Sequence, residues 1–324
     1  MFYDEMPAPG RRAVPVESLP RGPIAARRLA REGGRTFWGA ILALVVGILV
    51  SGCAGPENKQ LVLGDRGWDE SVAVSNLTKA LLENELGYDS VELRTADADP
   101  LFEGARDGGL DAFQDVWIPN DQEYLSPIQD DLEVFDPWFQ GKTRFGIAVP
   151  SYMGITSIPQ LNQTGATEIV GIEPEAAISK RVPDVVVPTY RLQQEYEVWS
   201  TPAMLFDVGE RIRKKEQFAF IAWSPHWMNQ RYNFVYLDDP DDALGDLDDP
   251  SKITTIVRKD LANKDPRAYA LMKALTLTEE QVDDLEEAIN AAGDPLVGAG
   301  RWAENNREVV QPWLDTAKQA QQKT

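Results

Sequence analysis

Predicted strands and amphipathic helices alternate from residue 60 onward, and this alternation constrains the fold more than any other feature. Strands are predicted over residues 60–64, 90–94 and 110–116, with helices over about 70–86 and 100–106 between them. Strands joined by single helices form parallel sheets with right-handed crossovers. The sequence therefore predicts an α/β fold, and 324 residues are enough for about two domains.

The rest of the chain continues this pattern. Thr201-Pro202 begins a helix that is predicted to reach about residue 216, because Thr caps helices well and Pro suits their first turn. Pro312 lies inside the last predicted helix and is expected to kink it. Further strands are predicted over residues 142–150, 168–171, 185–187, 218–222 and 253–257, and further helices over 266–275, 278–292 and about 303–320.

A tryptophan stands at the end of three predicted strands. Trp68, Trp117 and Trp223 occupy these positions, and the sole histidine, His226, follows Trp223 beyond Pro225. One tryptophan at such a position is more often a packing residue than a ligand contact. Because ligands bind at the carboxyl ends of the strands in open α/β sheets, three together indicate a binding site.

The N-terminal segment is typical of a bacterial lipoprotein signal. Arginines precede a 14-residue apolar run at residues 37–50, which has the length of a signal-peptide core. The following Ser51-Gly52-Cys53 resembles a lipobox, which implies cleavage before a lipidated Cys53. We expect a signal peptide with a disordered N-terminal extension over residues 1–52 and a lipidated linker over 53–60. The alternative is an uncleaved anchor with an incidental cysteine.

The charge of the chain limits its partners. Its formal net charge is −20, so nucleic acid and anionic membrane surfaces are unsuitable partners. Cationic or zwitterionic ligands suit such a charge, although solubility alone also accounts for it. Cys53 is the only cysteine, so no internal disulfide forms.

An ordered set of short motifs resembles a known family. The set looks like the substrate-binding lipoprotein of glycine betaine/choline (quaternary ammonium) ABC transporters, over about residues 61–320. The motifs are Gly67-Trp68-Asp69-Glu70, Asp115-Val116-Trp117-Ile118-Pro119, Gly171-Ile172-Glu173-Pro174, Thr201-Pro202-Ala203-Met204-Leu205, Trp223-Ser224-Pro225-His226-Trp227 and Tyr236-Leu237-Asp238-Asp239-Pro240.

The resemblance implies a two-lobed, type II periplasmic-binding-protein-like fold with a ligand cleft between the lobes. Lobe 1 would comprise residues 61–149 and 233–324, and lobe 2 residues 150–232, with hinge crossings near 149–153 and 228–234. Such a protein is a monomer on the outer face of the cytoplasmic membrane, anchored there through Cys53. It would close on its ligand and deliver it to an ABC permease, without a cofactor or a metal ion.

The resemblance also implies an aromatic cage. A quaternary ammonium cannot donate a strong hydrogen bond, and aromatic rings offer it negative faces. Trp68, Trp117 and Trp223 would form the cage, with Tyr152 at the hinge as a fourth ring. His226 would hydrogen-bond the polar end of the ligand.

Two residues give conflicting indications about the ligand. A His226 donor suits a carboxylate and favours glycine betaine or proline betaine. Glu70 lies where choline-selective members carry an acid for the hydroxyl, and it favours choline. The family usually has a glycine-rich turn after Glu-Pro, but this chain has Glu175-Ala176-Ala177 there. That difference puts a main-chain ligand contact from this turn in doubt.

Other classes of function have less support. With a single histidine and no Gly-x-Ser-x-Gly, Walker or Gly-x-Gly-x-x-Gly motif, the chain is expected not to be an enzyme. A hydrolase that depends on His226 is the remaining enzymatic alternative. A lipoprotein that senses its ligand without transport would carry the same site. The acids at residues 238–249 do not match a calcium-loop spacing.

Overall fold

The computed structural model of the chain describes residues 60–321. The predicted signal peptide, the lipobox cysteine Cys53 and most of the linker lie outside the described residues. Among the residues that are described, no helix is both long and apolar enough to cross a membrane.

The described chain contains strands and helices in the alternating order that the sequence predicts. The strands are β1 (Gln60–Asp65), β2 (Ser90–Thr95), β3 (Ala112–Ile118), β4 (Leu132–Val134), β5 (Arg144–Pro150), β6 (Glu168–Val170), β7 (Glu195–Glu197), β8 (Ala219–Ser224), β9 (Phe234–Tyr236) and β10 (Lys252–Arg258). The helices are α1 (Asp69–Ala80), α2 (Ala98–Asp107), α3 (Gln122–Leu125), α4 (Ala177–Arg181), α5 (Val187–Tyr190), α6 (Thr201–Lys214), α7 (Met228–Arg231), α8 (Leu261–Lys264), α9 (Pro266–Ala274), α10 (Glu279–Ala292), α11 (Pro295–Asn305) and α12 (Arg307–Gln321).

The first sheet has the strand order β2-β1-β3-β10-β4. Its strands β1, β2 and β3 are parallel, with Leu63 opposite Ala112, as the strand–helix alternation predicts. Strand β10 is antiparallel to both β3 and β4. The sheet is therefore mixed rather than wholly parallel.

The second sheet has the strand order β7-β6-β8-β5-β9. Strand β6 is parallel to β7 and β8, whereas β5 is antiparallel to β8 and β9. Ile147 on β5 lies opposite Ile221 on β8 at the centre of the sheet, and both are fully buried. Because apolar side chains are buried on both faces of the sheet, the sequences of these central strands are continuous hydrophobic runs.

The two sheets define two lobes, and the chain crosses between them twice. It leaves the first sheet between β4 and β5, at residues 135–143, and returns between β9 and β10, at residues 237–251. The hydroxyl of Thr143 on one crossing donates to the carbonyl oxygen of Ser251 on the other, at 2.9 Å. The boundaries predicted at residues 149–153 and 228–234 differ, because main-chain pairing assigns β5 and β9 to lobe 2.

One local prediction in lobe 2 is wrong, and one strand there was not predicted. Residues 185–187, read as a strand because of their valines, lie in the wide helical turn Val182–Val186 and at the start of α5. The parallel strand of this region is β7, in a polar stretch. Strand β7 pairs on one side only and its side chains reach solvent, so its sequence shows no apolar pattern.

The C-terminal helices return to lobe 1, where α10 and α11 pack against α1 and α12 packs against α9. Thr278 and Gln281 form a capping box at the start of α10. The single helix predicted over residues 303–320 is divided into α11 and α12 at Asn306, and Pro312 lies within α12.

Candidate functional site

A cavity lies where the strands of both lobes end, and the three predicted tryptophans line it. Trp68 follows β1, Trp117 is near the end of β3, and Trp223 is near the end of β8. The space between its lining atoms amounts to about 500 Å³ when the open solvent at its mouth is included, and about 20 Å³ can hold the centre of a water-sized sphere. Its lining consists of Arg66, Trp68, Ala98, Trp117, Asn120, Asp121 and Tyr124 from lobe 1 and Phe145, Glu175, Ala176, Ala177 and Trp223 from lobe 2.

Four aromatic rings form a connected wall of this cavity. The ring centroids of Trp68 and Trp223 are 6.0 Å apart, and the planes are tilted by 41°. Phe145 connects Trp223 to Trp117, because its ring centroid is 6.3 Å from that of Trp223 and 6.3 Å from that of Trp117. Sequence reasoning missed Phe145, because it reaches the wall only through the pairing of β5 with β8, which places it opposite Trp223.

Each of the three indole N–H groups donates to a carboxylate outside the cavity lining. Trp117 Nε1 bonds Asp115 Oδ1 at 2.8 Å, within lobe 1. The other two bonds cross between the lobes, from Trp68 Nε1 to Glu173 Oε2 at 3.3 Å and from Trp223 Nε1 to Glu70 Oε2 at 3.1 Å. These bonds fix how each ring is turned about its side-chain axis. The Trp117 bond does so within lobe 1, whereas the Trp68 and Trp223 bonds hold their rings only while the two lobes are together.

Two of these acids are themselves buried. Burial, with the nearby charges of Asp115 and Glu286, raises the pKa of Glu70 well above its usual range. Burial also raises the pKa of Asp115 to about 7, although the Arg66 guanidinium opposes the shift. Since a protonated carboxyl still accepts through its carbonyl oxygen, both can hold an indole without carrying a full negative charge.

Glu173 joins the cage to a helix of lobe 2. Its carboxylate accepts from the backbone N–H and the hydroxyl of Thr201, the first residue of α6, as well as from Trp68. The positive end of the helix dipole and the free N–H groups of a first turn favour an acid at this position. The helix begins at Thr201 with Pro202 in its first turn, but its N-cap is Ser200 rather than the predicted Thr201. The same helix start holds the partner of Trp68.

Arg66 is a lining residue that sequence reasoning did not single out. Its side chain is only 6% exposed, and Nη2 donates to Asp121 Oδ1 at 3.0 Å. The guanidinium carbon lies 4.6 Å from the centre of the Trp68 ring. In the sequence Arg66 is an ordinary turn residue, and only the fold shows that it is buried beside the cage.

Three of the predicted site residues, Tyr152, Glu70 and His226, do not line the cavity. Tyr152 is 43% exposed, and its hydroxyl donates to the carbonyl oxygen of Glu216. Glu70 is fully buried behind the wall, where it accepts from Trp223. The fourth ring of the wall is Phe145 rather than Tyr152, because β5 pairs with β8 and places Phe145 opposite Trp223.

His226 lies behind the cage as well. Its ring is fully buried and packs edge-on against Trp223, with centroids 4.7 Å apart. Nδ1 accepts from the Met228 N–H at 3.0 Å, so Nε2 carries the proton and donates to Asp69 Oδ2 at 3.1 Å. Burial alone would raise the pKa of Asp69, but hydrogen bonds from His226 and Trp227 outweigh it and lower that pKa.

The turn that departs from the family pattern does reach the cavity. Glu175, Ala176 and Ala177 line it from lobe 2. Burial raises the pKa of Glu175, with a further contribution from Asp97. The Tyr124 hydroxyl of lobe 1 donates to the Glu175 carbonyl oxygen at 3.4 Å. The carboxyl group of Glu175 therefore occupies space that a glycine-rich turn would leave open.

Comparison with known proteins identifies the family. The family model OpuAC, described as the substrate binding domain of the ABC-type glycine betaine transport system, matches residues 59–305. The chain belongs to this family. This match confirms the resemblance seen in the sequence. Membership of the family identifies the chain as a solute-binding component of an ABC-type transport system rather than as a member of an enzyme family.

Individual relatives agree with this assignment. The glycine betaine/carnitine transport binding protein GbuC of Listeria monocytogenes serotype 1/2a (strain 10403S) is 30% identical over 159 residues, which are 48% of this chain and 50% of GbuC. The alignment thus spans about half the length of that relative.

Solved structures confirm the type II fold. Lactococcal OpuAC, closed and complexed with glycine betaine, has a TM-score of 0.71 and 26% identity, over 79% of this chain and 99% of that one. ProX of Borrelia burgdorferi has a TM-score of 0.72 and 24% identity, over 81% and 99%. A choline-binding protein in complex with choline has a TM-score of 0.70 and 22% identity, over 79% and 91%. ProX and the choline-binding protein, at 24% and 22% identity, show similarity of fold alone.

Proposed function

We propose that this protein is the extracytoplasmic receptor of an ABC importer and binds a quaternary ammonium compound in a cage of Trp68, Trp117, Trp223 and Phe145. The observation that carries the proposal is the convergence of three strand-end tryptophans, from both lobes, on one cavity. The ring faces would surround the methyl groups of the ligand and attract its fixed charge.

The wall can supply a useful affinity. A cation over an aromatic face gains about 0.5–2 kcal/mol, depending on how fully it is desolvated. Four rings contribute about 2–8 kcal/mol on this scale, and contacts to the polar end of the ligand supply the rest of the roughly 8 kcal/mol that micromolar binding requires. Asp115 already holds the Trp117 indole within lobe 1, so little conformational entropy is lost at that ring when the ligand enters, whereas the Trp68 and Trp223 bonds form as the lobes close.

Closure of the lobes would enclose the ligand. Hydrogen bonds cross between the lobes beside the cavity, and they include those of Trp68 with Glu173, Trp223 with Glu70, and Asp69 with His226 and Trp227. These contacts exist only while the lobes are together, so they stabilise the closed form. We propose that the permease recognises this form and that the ligand is released when the transporter opens it.

His226 and Glu70 have supporting roles in this proposal. His226 positions Asp69 and packs against Trp223, and Glu70 orients the Trp223 indole. The hydrolase alternative receives no support from the geometry. Both ring nitrogens of His226 are bonded to Asp69 and Met228, and the nearby Ser224 hydroxyl donates to Glu279.

The deciding experiment is calorimetric titration of the purified protein with glycine betaine, choline and proline betaine. We expect micromolar or tighter binding to at least one of the three. The double variant Trp117→Leu/Trp223→Leu, which removes two aromatic faces, should abolish the measured heat. Absence of binding to all three by folded wild-type protein would refute the proposal.

We also propose that the mature protein is a lipoprotein on the outer face of the cytoplasmic membrane, anchored through Cys53. The support is the arginine-rich start, the apolar run and the Ser51-Gly52-Cys53 sequence. Replacing Cys53 with serine should move the protein from the membrane fraction to the soluble extracytoplasmic fraction. If the variant stays with the membrane at its unprocessed mass, an uncleaved anchor is the correct interpretation.

A further inference from the structure

We propose that Arg66 binds a carboxylate group of the ligand, so that the cavity selects zwitterionic betaines over choline. The inference rests on the proposed function and names the class of ligand within it. Glycine betaine and proline betaine carry their carboxylate one carbon away from the quaternary ammonium, whereas choline carries a neutral hydroxyl at its far end.

The position of Arg66 is the first support. Its guanidinium carbon lies 4.6 Å from the centroid of the Trp68 ring, so a positive group stands directly beside the aromatic wall. A ligand with its ammonium against the rings and its carboxylate on Arg66 needs only a short spacer between the two charges. Glycine betaine has such a spacer, a single methylene group.

The hydrogen-bonding state of Arg66 is the second support. A guanidinium has five N–H donors, and Asp121 engages Nη2. Nε is buried and has no hydrogen-bond partner in the part of the chain that the structure describes. A buried donor without a partner is costly, and a ligand carboxylate is the acceptor that satisfies it best.

The charges around the cavity are the third support. Among its described lining residues, Arg66 is the sole cation, and the ionisable acids are Asp121 and Glu175. Asp121 is already engaged, since it accepts from Arg66 and from the backbone N–H of Trp117 at 2.8 Å. Among the described lining residues, the guanidinium of Arg66 is therefore the one group that offers a ligand carboxylate an opposite charge.

Asp121 also explains why the guanidinium stays fixed. The ion pair has side chains that are 6% and 7% exposed, and Asp121 is held by the Trp117 backbone at the end of β3. The arginine is thus positioned from the same strand end that supplies Trp117. A preorganised donor of this kind discriminates strongly between an acceptor that pairs with it and one that does not.

The test compares two ligands on the purified protein by calorimetry. In Arg66→Gln, the dissociation constant for glycine betaine should rise about tenfold or more, because a charge-assisted hydrogen bond is lost, while that for choline should change less than threefold. Arg66→Lys, which keeps the charge and can still pair with Asp121, should give an intermediate loss for glycine betaine. The exposed Arg94 on β2 supplies the matched control, and Arg94→Gln should change neither constant.

The ratio of the two dissociation constants decides the outcome, because partial unfolding of a variant affects both ligands equally. If Arg66→Gln weakens both ligands to the same extent, or leaves glycine betaine unchanged, the carboxylate role of Arg66 is refuted while the cage remains. Tighter binding of choline than of glycine betaine by the wild-type protein also refutes it. If the wild-type protein binds neither ligand, the proposed function fails and this inference fails with it.

Discussion

The indole N–H of Trp223, in lobe 2, donates a 3.1 Å hydrogen bond to Oε2 of Glu70, in lobe 1. Both side chains are fully buried, and Glu70 Oε1 has no partner among the described residues. Burial raises the pKa of Glu70 well above its usual range and so favours the protonated carboxyl, which still accepts through its carbonyl oxygen. The acid next to the cage thus joins the two lobes as an acceptor whose charged form is disfavoured by burial.

Substitutions of Glu70 test this neutral role. Glu70→Gln keeps a carbonyl oxygen and adds no charge, so unfolding free energy and ligand affinity at pH 7 should stay close to those of the wild type. Glu70→Ala leaves the buried Trp223 N–H without an acceptor and should cost about 1–3 kcal/mol of stability. Thermal unfolding and calorimetry measure both effects. A glutamine variant as damaged as the alanine variant would show that the negative charge itself is required.

Trp117 tests the aromatic wall. Trp117→Leu keeps an apolar side chain but removes the ring face, and affinity for the preferred quaternary ammonium ligand should fall about 2- to 30-fold. Trp117→Phe should lose less, because a smaller ring face remains. Trp199 does not line the cavity, so Trp199→Leu serves as the control and should bind normally. Equal losses for Trp117→Leu and Trp199→Leu would contradict a cage.

Glu173 tests whether the contacts between the lobes support binding. Glu173→Ala removes the acceptor of the Trp68 indole and should weaken ligand binding about tenfold, with faster ligand dissociation, because the closed form loses a charge-assisted bond. Thr201→Val is the control: it removes one hydroxyl bond to Glu173 but leaves the Trp68 contact in place. Stopped-flow fluorescence measures the dissociation rate. Unchanged dissociation in Glu173→Ala would exclude this contact from closure.

The raised pKa of Asp115 predicts that the unfolding free energy of the protein depends on pH. That pKa is raised to about 7 by burial, above the value near 4 of an unfolded aspartate. The folded state therefore retains this proton longer, and the contribution is fully present below about pH 4 and is lost as the pH rises to about 7.

Asp115→Asn keeps an acceptor for the Trp117 indole and cannot ionise. Its unfolding free energy should therefore fall less between pH 4 and pH 7 than that of the wild type, and denaturant unfolding at pH 5 and pH 8 gives the comparison. Parallel pH profiles for the two proteins would refute the raised pKa.

Part of the site followed directly from the sequence. The strand–helix alternation places the carboxyl ends of parallel strands at one edge, so Trp68 and Trp117 could be expected to lie close together. The ordered motifs identified the family and brought Trp223 into the same prediction. These features are local, because a strand end and the residue that follows it are defined by adjacent positions in the chain.

The surroundings of the cage depended on pairings that local patterns do not encode. Phe145 reaches the wall because β5 pairs with β8, and the same pairing moves the hinge crossings away from their predicted positions. His226 and Glu70 stand at the right places in the sequence, yet their side chains point behind the wall, toward Asp69 and Trp223.

The sequence by itself determined the α/β alternation, the family and the three tryptophans, because each depends on neighbouring residues or an ordered motif. Only the tertiary structure decided which charged groups lie inside the cavity and which lie behind it. Arg66 and Glu70 are four residues apart, but Arg66 lines the cavity and Glu70 does not. The direction of a side chain depends on the burial and hydrogen bonds that distant segments provide, and those partners exist only once the two lobes have folded against each other.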